Sequence, residues 1–238
     1  MGRTLWNTAI GILAVSCITI SHLSPHLRWT TDTVEFFVFA LYATELNIHV
    51  HRLHQLATRD GLTGLLNKRA GADALRIEVM RAVRGGHFLS IVYVDFNNFK
   101  PVNDLLGHRH GDEILCEGAR KIVGHTRLGD IVVRVGGDEM YVICPDTDAD
   151  GANKLKDKLI SSVRLEPTHK GKPIPVSLSA GVTSLNGRSV PWQTLGDGSL
   201  KAEELLHLAD KRMYHNKQQS RPGSTEEVAL ARSTYIPE

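Results

Sequence analysis

The stretch that most constrains this chain is Phe88-Leu89-Ser90-Ile91-Val92-Tyr93-Val94, nearly all apolar, rich in β-branched and aromatic residues, and ending at Asp95. A short run of that composition reads as a buried strand. Around it the periodicity alternates. Leu65–Val83 has a helical pattern, a second helix is expected around Gly111–Gly124, and Ala152–Val163 and Ala202–Lys217 supply two more. Ile131–Val135 and Met140–Cys144 read as short strands joined by Gly136-Gly137-Asp138-Glu139, a glycine-rich hairpin connection. Ile174–Thr183 is expected to be the last strand. The order βαββαβ with a terminal helix predicts an α/β (α+β) architecture, helices covering an antiparallel or mixed sheet.

Composition removes several function classes. Across 238 residues, 28 Lys and Arg face 26 Asp and Glu, so the basic excess that a nucleic-acid binder needs is missing. Cys17, Cys116 and Cys144 form neither a C-x-x-C pair nor an even framework, which argues against a zinc module or a disulfide scaffold and fits a reducing compartment. No repeat of the solenoid kind is visible.

The N-terminal part is of another character. From Thr4 to Leu23 no side chain is charged, about the length needed to span a bilayer. Arg3 before a short apolar core also resembles a signal peptide, but no small-x-small cleavage site follows, and Ser24-Pro25 reads as a loop. A second helix is expected to begin at Asp32-Thr33, where either side chain suits a cap. Its apolar positions Phe36, Phe39, Ala43, Leu46, Val50, Leu53 and Ala57 step by alternating threes and fours, the spacing of a coiled-coil seam. The seam fits a parallel dimer or an amphipathic helix packed on its own domain, and a membrane hairpin is compatible with both. The division expected is residues 1–57 as an N-terminal helical region, with a membrane segment at 4–23 and a dimerising helix at 33–57. A domain at 58–222 and a flexible tail at 223–238 complete it. The matching localisation is an inner membrane with the domain at 58–222 on its cytoplasmic side, the alternative being the cytoplasm.

Chemistry concentrates in two places. Asp95 stands at a strand end, and Asp138 and Glu139 follow two glycines at a turn. If strand and hairpin are neighbours, three carboxylates meet at one sheet edge; such groups repel unless a cation joins them, and oxygen ligands favour Mg²⁺ or Mn²⁺. Taken alone, acidic residues after Gly-Gly read equally as a solvated turn. Beyond Asp95 lie Asn97, Asn98, Lys100, Asn103, Asp104, His108 and Asp112. An Asn with an Asp has the donors and acceptors to read guanine. No G-x-x-x-x-G-K-[ST] occurs, which excludes a P-loop.

These residues carry a resemblance. Gly136-Gly137-Asp138-Glu139-Met140 resembles the signature of GGDEF domains, the bacterial diguanylate cyclases. Asp60-Gly61-Leu62-Thr63-Gly64-Leu65-Leu66-Asn67-Lys68-Arg69 resembles the family's opening motif, and Asp95 through Asp104 with Gly107-His108 and Gly111-Asp112 resembles its central one. Ser179-Ala180-Gly181, and Ala209-Asp210 through Met213-Tyr214 to Lys217 and Arg221, follow in the family's order, so the likeness spans about residues 58–222.

The resemblance implies a ferredoxin-like palm of nucleotide-cyclase type. It also implies condensation of two GTP into cyclic di-GMP and two pyrophosphates by a homodimer, with two Mg²⁺ or Mn²⁺ ions per active site. Asp95, Asp138, Glu139 and the Phe96 carbonyl are then the metal ligands, with Glu139 assisting deprotonation of the ribose 3′-hydroxyl. Asn103 and Asp112 bind guanine, and Lys100, Lys217 and Arg221 meet the triphosphate. Arg127-Leu128-Gly129-Asp130 resembles the R-x-x-D site at which cyclic di-GMP inhibits. The arginine expected on the following helix is replaced there by Lys154, Lys156 and Lys158. Met140 for Phe, Asn97 for Asp and Pro101 are the other departures. The competing function is a silent GGDEF domain that binds GTP or cyclic di-GMP, which retention of Asp138 and Glu139 argues against.

Overall fold

The apolar run becomes the central strand because both its faces are covered. In the computed structural model, which describes residues 28–219, β1 is Phe88–Asn97. Successive strand residues point to opposite faces. Val92, Val94 and Phe96 therefore enter one core and Leu89, Ile91 and Tyr93 the other. β2 (Ile131–Gly136) and β3 (Glu139–Pro145) form the expected hairpin, and β6 (Ser177–Asn186) closes the sheet. The order is β2-β3-β1-β6, antiparallel throughout. With α4 (His108–His125) and α5 (Ala149–Ser162) as the crossovers, this is the ferredoxin-like topology expected. One face packs on α4 and α5; the other packs on α2 (Lys68–Gly85) and α6 (Ser199–Gln219).

Two local expectations change. The segment before Gly111 is itself helical: α3 spans Phe99–Leu106, and Gly107, at φ +83°, breaks it from α4. Pro101 sits in the first turn of α3, where backbone N–H groups lack intrahelical acceptors, so its missing donor costs nothing. The last strand begins at Ser177 rather than Ile174. Pro173 and Pro175 interrupt the ladder, and the chain makes a small hairpin first, β4 (Thr168–His169) with β5 (Lys172–Pro173). Its turn residues Lys170 and Gly171 both have positive φ.

Open sheet edges invite pairing with other chains. On β6 the outward carbonyls are occupied by side chains of α6: Arg212 Nη1 donates to Val182 O at 2.7 Å and Asn216 Nδ2 to Ala180 O at 2.8 Å. At the β2 edge Leu66 forms a parallel bridge with Val133, and Arg134 N donates to Leu66 O.

The chain divides into two compact units, Met1–Ala57 and Thr58–Glu238. In the first, the helix α1 (Arg28–Thr58) is already helical at Asp32-Thr33, so neither residue caps it. The seam positions Phe36, Phe39, Leu46, Val50 and Leu53 are exposed, and so are Phe37, Leu41, Tyr42, Ile48 and Leu56 off the seam. The inner-membrane placement expected from the N-terminal sequence is corrected. Among the described residues no helix is long and apolar enough to cross a membrane, because Glu35, Glu45 and several histidines interrupt α1. The segment Thr4–Leu23, the loop Ser24-Pro25, Arg221 and the tail 223–238 lie outside the described residues.

Candidate active site at the β1 and β3 strand ends

Register builds the acidic cluster. β1 and β3 pair so that Asp95 stands directly opposite Glu139, with Asp138 one residue earlier in the turn. Gly136 and Gly137 take φ +153° and +55°, conformations open to glycine, and so turn the chain tightly enough to present both acids. The turn is tied down twice. Phe96 N donates to Asp138 O at 3.3 Å, and Arg134 donates through Nε and Nη2 to Gly137 O. Arg134 Nη1 also reaches Asp60 Oδ1 at 2.8 Å, and the same oxygen accepts from Thr63 N and Oγ1. The opening motif thus braces the signature turn through one guanidinium. Burial would raise the Asp60 carboxyl, but the bonds from Thr63 and Arg134 and the Arg134 charge hold it below its ordinary value.

Glycine also decides where α6 lies. A Cβ on Gly181 would fall 2.2 Å from both Ala209 O and Met213 N, so only glycine admits the helix this close to β6. One turn further along α6, Lys217 Nζ donates to Asp95 Oδ1. Asp95 is nonetheless pushed up from the usual carboxylate range, by burial first, with the Lys217 bond opposing and the Asp138 charge adding. Glu139 is raised as well: burial leads, a hydrogen bond from Tyr93 opposes, and the Asp210, Asp95 and Asp138 charges add. Among the described residues no three His, Cys, Asp or Glu side chains converge as a ready metal cage. What fits a cation is the donor set itself: mutually repelling carboxylates at a strand end, with Lys217 as the cation bound to one of them.

The remaining expected residues fall as follows. The Phe96 ring is buried and lies over Gly118 of α4, where a Cβ would come within 2.3 Å of it. Lys100 is exposed in the first turn of α3, and Asp112 is exposed in the first turns of α4. The Asn103 carboxamide lies against Gly111, the residue before Asp112, and its Oδ1 is buried with no hydrogen-bond partner. A buried acceptor left unpaired is costly and marks a place for a ligand donor. Asn97 turns elsewhere: its Nδ2 donates to Ser177 Oγ and its Oδ1 accepts from Ser179 Oγ, which ties it to β6.

Arg127 and Asp130 are paired at 3.0 Å through Nε and Oδ1, and Arg127 Nη2 also donates to Pro145 O and Thr147 Oγ1. They line a groove of about 300 Å³ together with His125, Lys154 and Lys158. Lys156 is absent from it, since positions four apart share a helix face and the residue between them does not.

Three groups near the acids escaped the sequence reading. Arg134 lies two residues before the glycine pair, Tyr93 shares a strand face with Asp95, and Asp210 sits inside the closing-helix motif. Period-two alternation flags Tyr93; nothing local flags Arg134.

Comparison with known proteins identifies the family. The family description "Diguanylate cyclase, GGDEF domain" matches residues 57–222. The chain is 31% identical over 180 residues to diguanylate cyclase DgcP of Pseudomonas aeruginosa, covering 75% of this chain and 25% of that protein. It is 33% identical over 183 residues to the response regulator PleD of Caulobacter vibrioides, covering 76% and 38% respectively. The chain therefore spans only about a quarter to two fifths of these relatives. Among solved structures, the GGDEF domain of DgcB from Caulobacter crescentus in complex with c-di-GMP aligns at TM-score 0.59 and 25% identity, over 69% of this chain and 92% of that one. The coiled coil and GGDEF domain of the same protein aligns at 0.67 and 22%, over 79% and 95%, which shows the shared fold. From its opening motif to its closing helix, this chain belongs to the GGDEF-domain family of diguanylate cyclases.

Proposed function

We propose that this chain condenses two GTP molecules into cyclic di-GMP, releasing two pyrophosphates. The observation that carries the reading is the register that sets Asp95 opposite Glu139, with Asp138 beside them in a braced turn. Asp95, Asp138, Glu139 and the Phe96 carbonyl would hold Mg²⁺ or Mn²⁺, two ions per site. When bound, such ions neutralise phosphate oxygens and lower the pKa of the attacking hydroxyl. Asn103 and Asp112 orient guanine; the buried, unpaired Asn103 Oδ1 supports this, since a guanine N–H would satisfy it. Lys100, Lys217 and Arg221 bind the triphosphate. Glu139 takes the proton of the 3′-hydroxyl as that oxygen bonds to the α-phosphorus of the second GTP and pyrophosphate departs.

One domain holds one GTP, so two copies must face each other. The exposed apolar surface of α1 supports a dimer made through that helix. The Arg127–Asp130 groove, with Lys154 and Lys158, is the place for product feedback. Lysine is a point charge rather than a planar fork, which makes a looser clamp on guanine.

Purified protein incubated with GTP and Mg²⁺, its products separated by chromatography, tests the reading. Cyclic di-GMP should form, and Glu139→Ala should abolish it while leaving the melting temperature intact. GTP binding without product in the wild type would instead support a receptor. In the same assay added cyclic di-GMP should slow the wild type, and Arg127→Ala should relieve it. Equal inhibition of both would leave Arg127 and Asp130 as a turn only.

A further inference from the structure

Each acid of the site is tethered by a different donor: Asp95 by Lys217, the Asp138 backbone by the Phe96 amide, and Glu139 by Tyr93. The last of these lies outside every motif that carried the family resemblance. Tyr93 Oη donates to Glu139 Oε2 at 3.3 Å, and the phenol is only 7% exposed.

The ring is fixed on both sides. Across β3 it faces Tyr141, with ring centroids 6.0 Å apart and planes inclined by 17°. Across β6 it stands opposite Gly181, over which the backbone of α6 lies. Tyr93 belongs to the same strand face as Asp95, two residues on, so the hydroxyl approaches Glu139 from beneath the acidic cluster. Tyr141 gives a contrast within the pair: its own hydroxyl is buried with no hydrogen-bond partner. One tyrosine of the stack is committed to Glu139; the other supplies only a ring.

We infer that Tyr93 is a positioning residue for Glu139. By occupying Oε2 it restricts the carboxylate to one orientation and leaves Oε1 as the oxygen available to a cation and to the reacting hydroxyl. The inference rests on the role given above to Glu139. A neutral donor is suited to this position, since a lysine here would cancel a charge that the cation needs, whereas a phenol orients the carboxylate and leaves its charge in place.

Tyr93→Phe in the full chain tests it, because the ring, the stack and the burial are kept and one hydroxyl is lost. Outer-shell partners of metal ligands typically matter by about 10- to 100-fold, and a neutral donor belongs at the lower end. The expected result is therefore a kcat lower by about tenfold with KM for GTP within about twofold. Mn²⁺, read by electron paramagnetic resonance in the presence of a non-hydrolysable GTP analogue, should bind several-fold more weakly. Tyr141→Phe, which removes the orphan hydroxyl of the same stack, should alter neither. Wild-type kcat and Mn²⁺ affinity in Tyr93→Phe overturn the inference, and so does an equal loss in Tyr141→Phe, which would make the stack rather than the hydroxyl responsible. Glu139→Gln separates the two readings. If that variant turns over like wild type, the role of Glu139 fails. If it is inactive while Tyr93→Phe is unaffected, only Tyr93 fails. The Mn²⁺ measurement decides between them even where turnover is too slow to follow.

Discussion

The unit from Thr58 onward and the helix α1 use apolar residues in opposite ways. In the former, each strand of the sheet sends alternate side chains into two cores, and Leu75, Ile91, Val92, Val94 and Ile143 are completely buried. In α1, Phe36, Phe37, Phe39 and Leu53 are each more than 60% exposed. Burying such a side chain stabilises by about 1.5–3 kcal/mol, so the first region holds itself together while α1 leaves most of that stabilisation unrealised. Helices gain most of their stability from a packed face rather than from propensity. A region whose apolar side chains are buried and a helix whose apolar side chains are exposed should therefore respond differently to mutation.

The sharpest test substitutes Leu46 and Leu53 together by Asp. If α1 is a dimer seam, the variant should sediment as a folded monomer. At low protein concentration its activity should fall by on the order of 100-fold, because the two GTP-loaded domains lose their effective concentration. A variant that stays dimeric, or a monomer that keeps full activity, would place the contact elsewhere and break the contrast.

Within the self-sufficient region the effects should be local. Gly181→Ala puts a methyl group against backbone atoms of α6 that have no rotamer by which to escape. Overpacking of this kind costs about 1–3 kcal/mol. The denaturant midpoint should fall accordingly, and turnover should fall with it, since α6 carries Lys217 to Asp95. Stability equal to wild type would mean that the helix sits farther from β6 than described.

The smallest effect concerns Asp60. Its folded pKa is depressed, so its contribution to stability is present above the unfolded carboxylate value and is lost as pH falls through the folded one. Asp60→Asn should cost about 1 kcal/mol at pH 7 by weakening the bonds to Thr63 and Arg134. The gap to wild type should narrow when unfolding is measured near pH 3. An undiminished gap in acid would show that geometry rather than charge links Asp60 to Arg134.

Much of this was legible in the chain because it is local. The Gly136-Gly137 turn follows from glycine's access to positive φ, and β1 from an apolar run too short and too branched for a helix. Asp95, Asp138 and Glu139 flank those elements, so pairing of the strands was enough to bring them together. Helix α3 went unread because Pro101 argues against a helix everywhere except in a first turn.

What only the tertiary structure decided involves partners far apart in sequence. Arg134 and Asp60 are 74 residues apart, Tyr93 and Glu139 are 46, and Lys217 and Asp95 are 122. No local propensity encodes such a pair; each exists because sheet register and the approach of α6 at Gly181 fix which side chains share a face. The same holds for Asn97, which stands where the resembling motif has an aspartate and whose side chain is bound to Ser177 and Ser179. The sequence determined which residues stand at the strand ends. The packing of one helix and the pairing of three strands decided what each of them touches, because a side chain's neighbours follow from register and interhelical distance, quantities that arise only when segments meet.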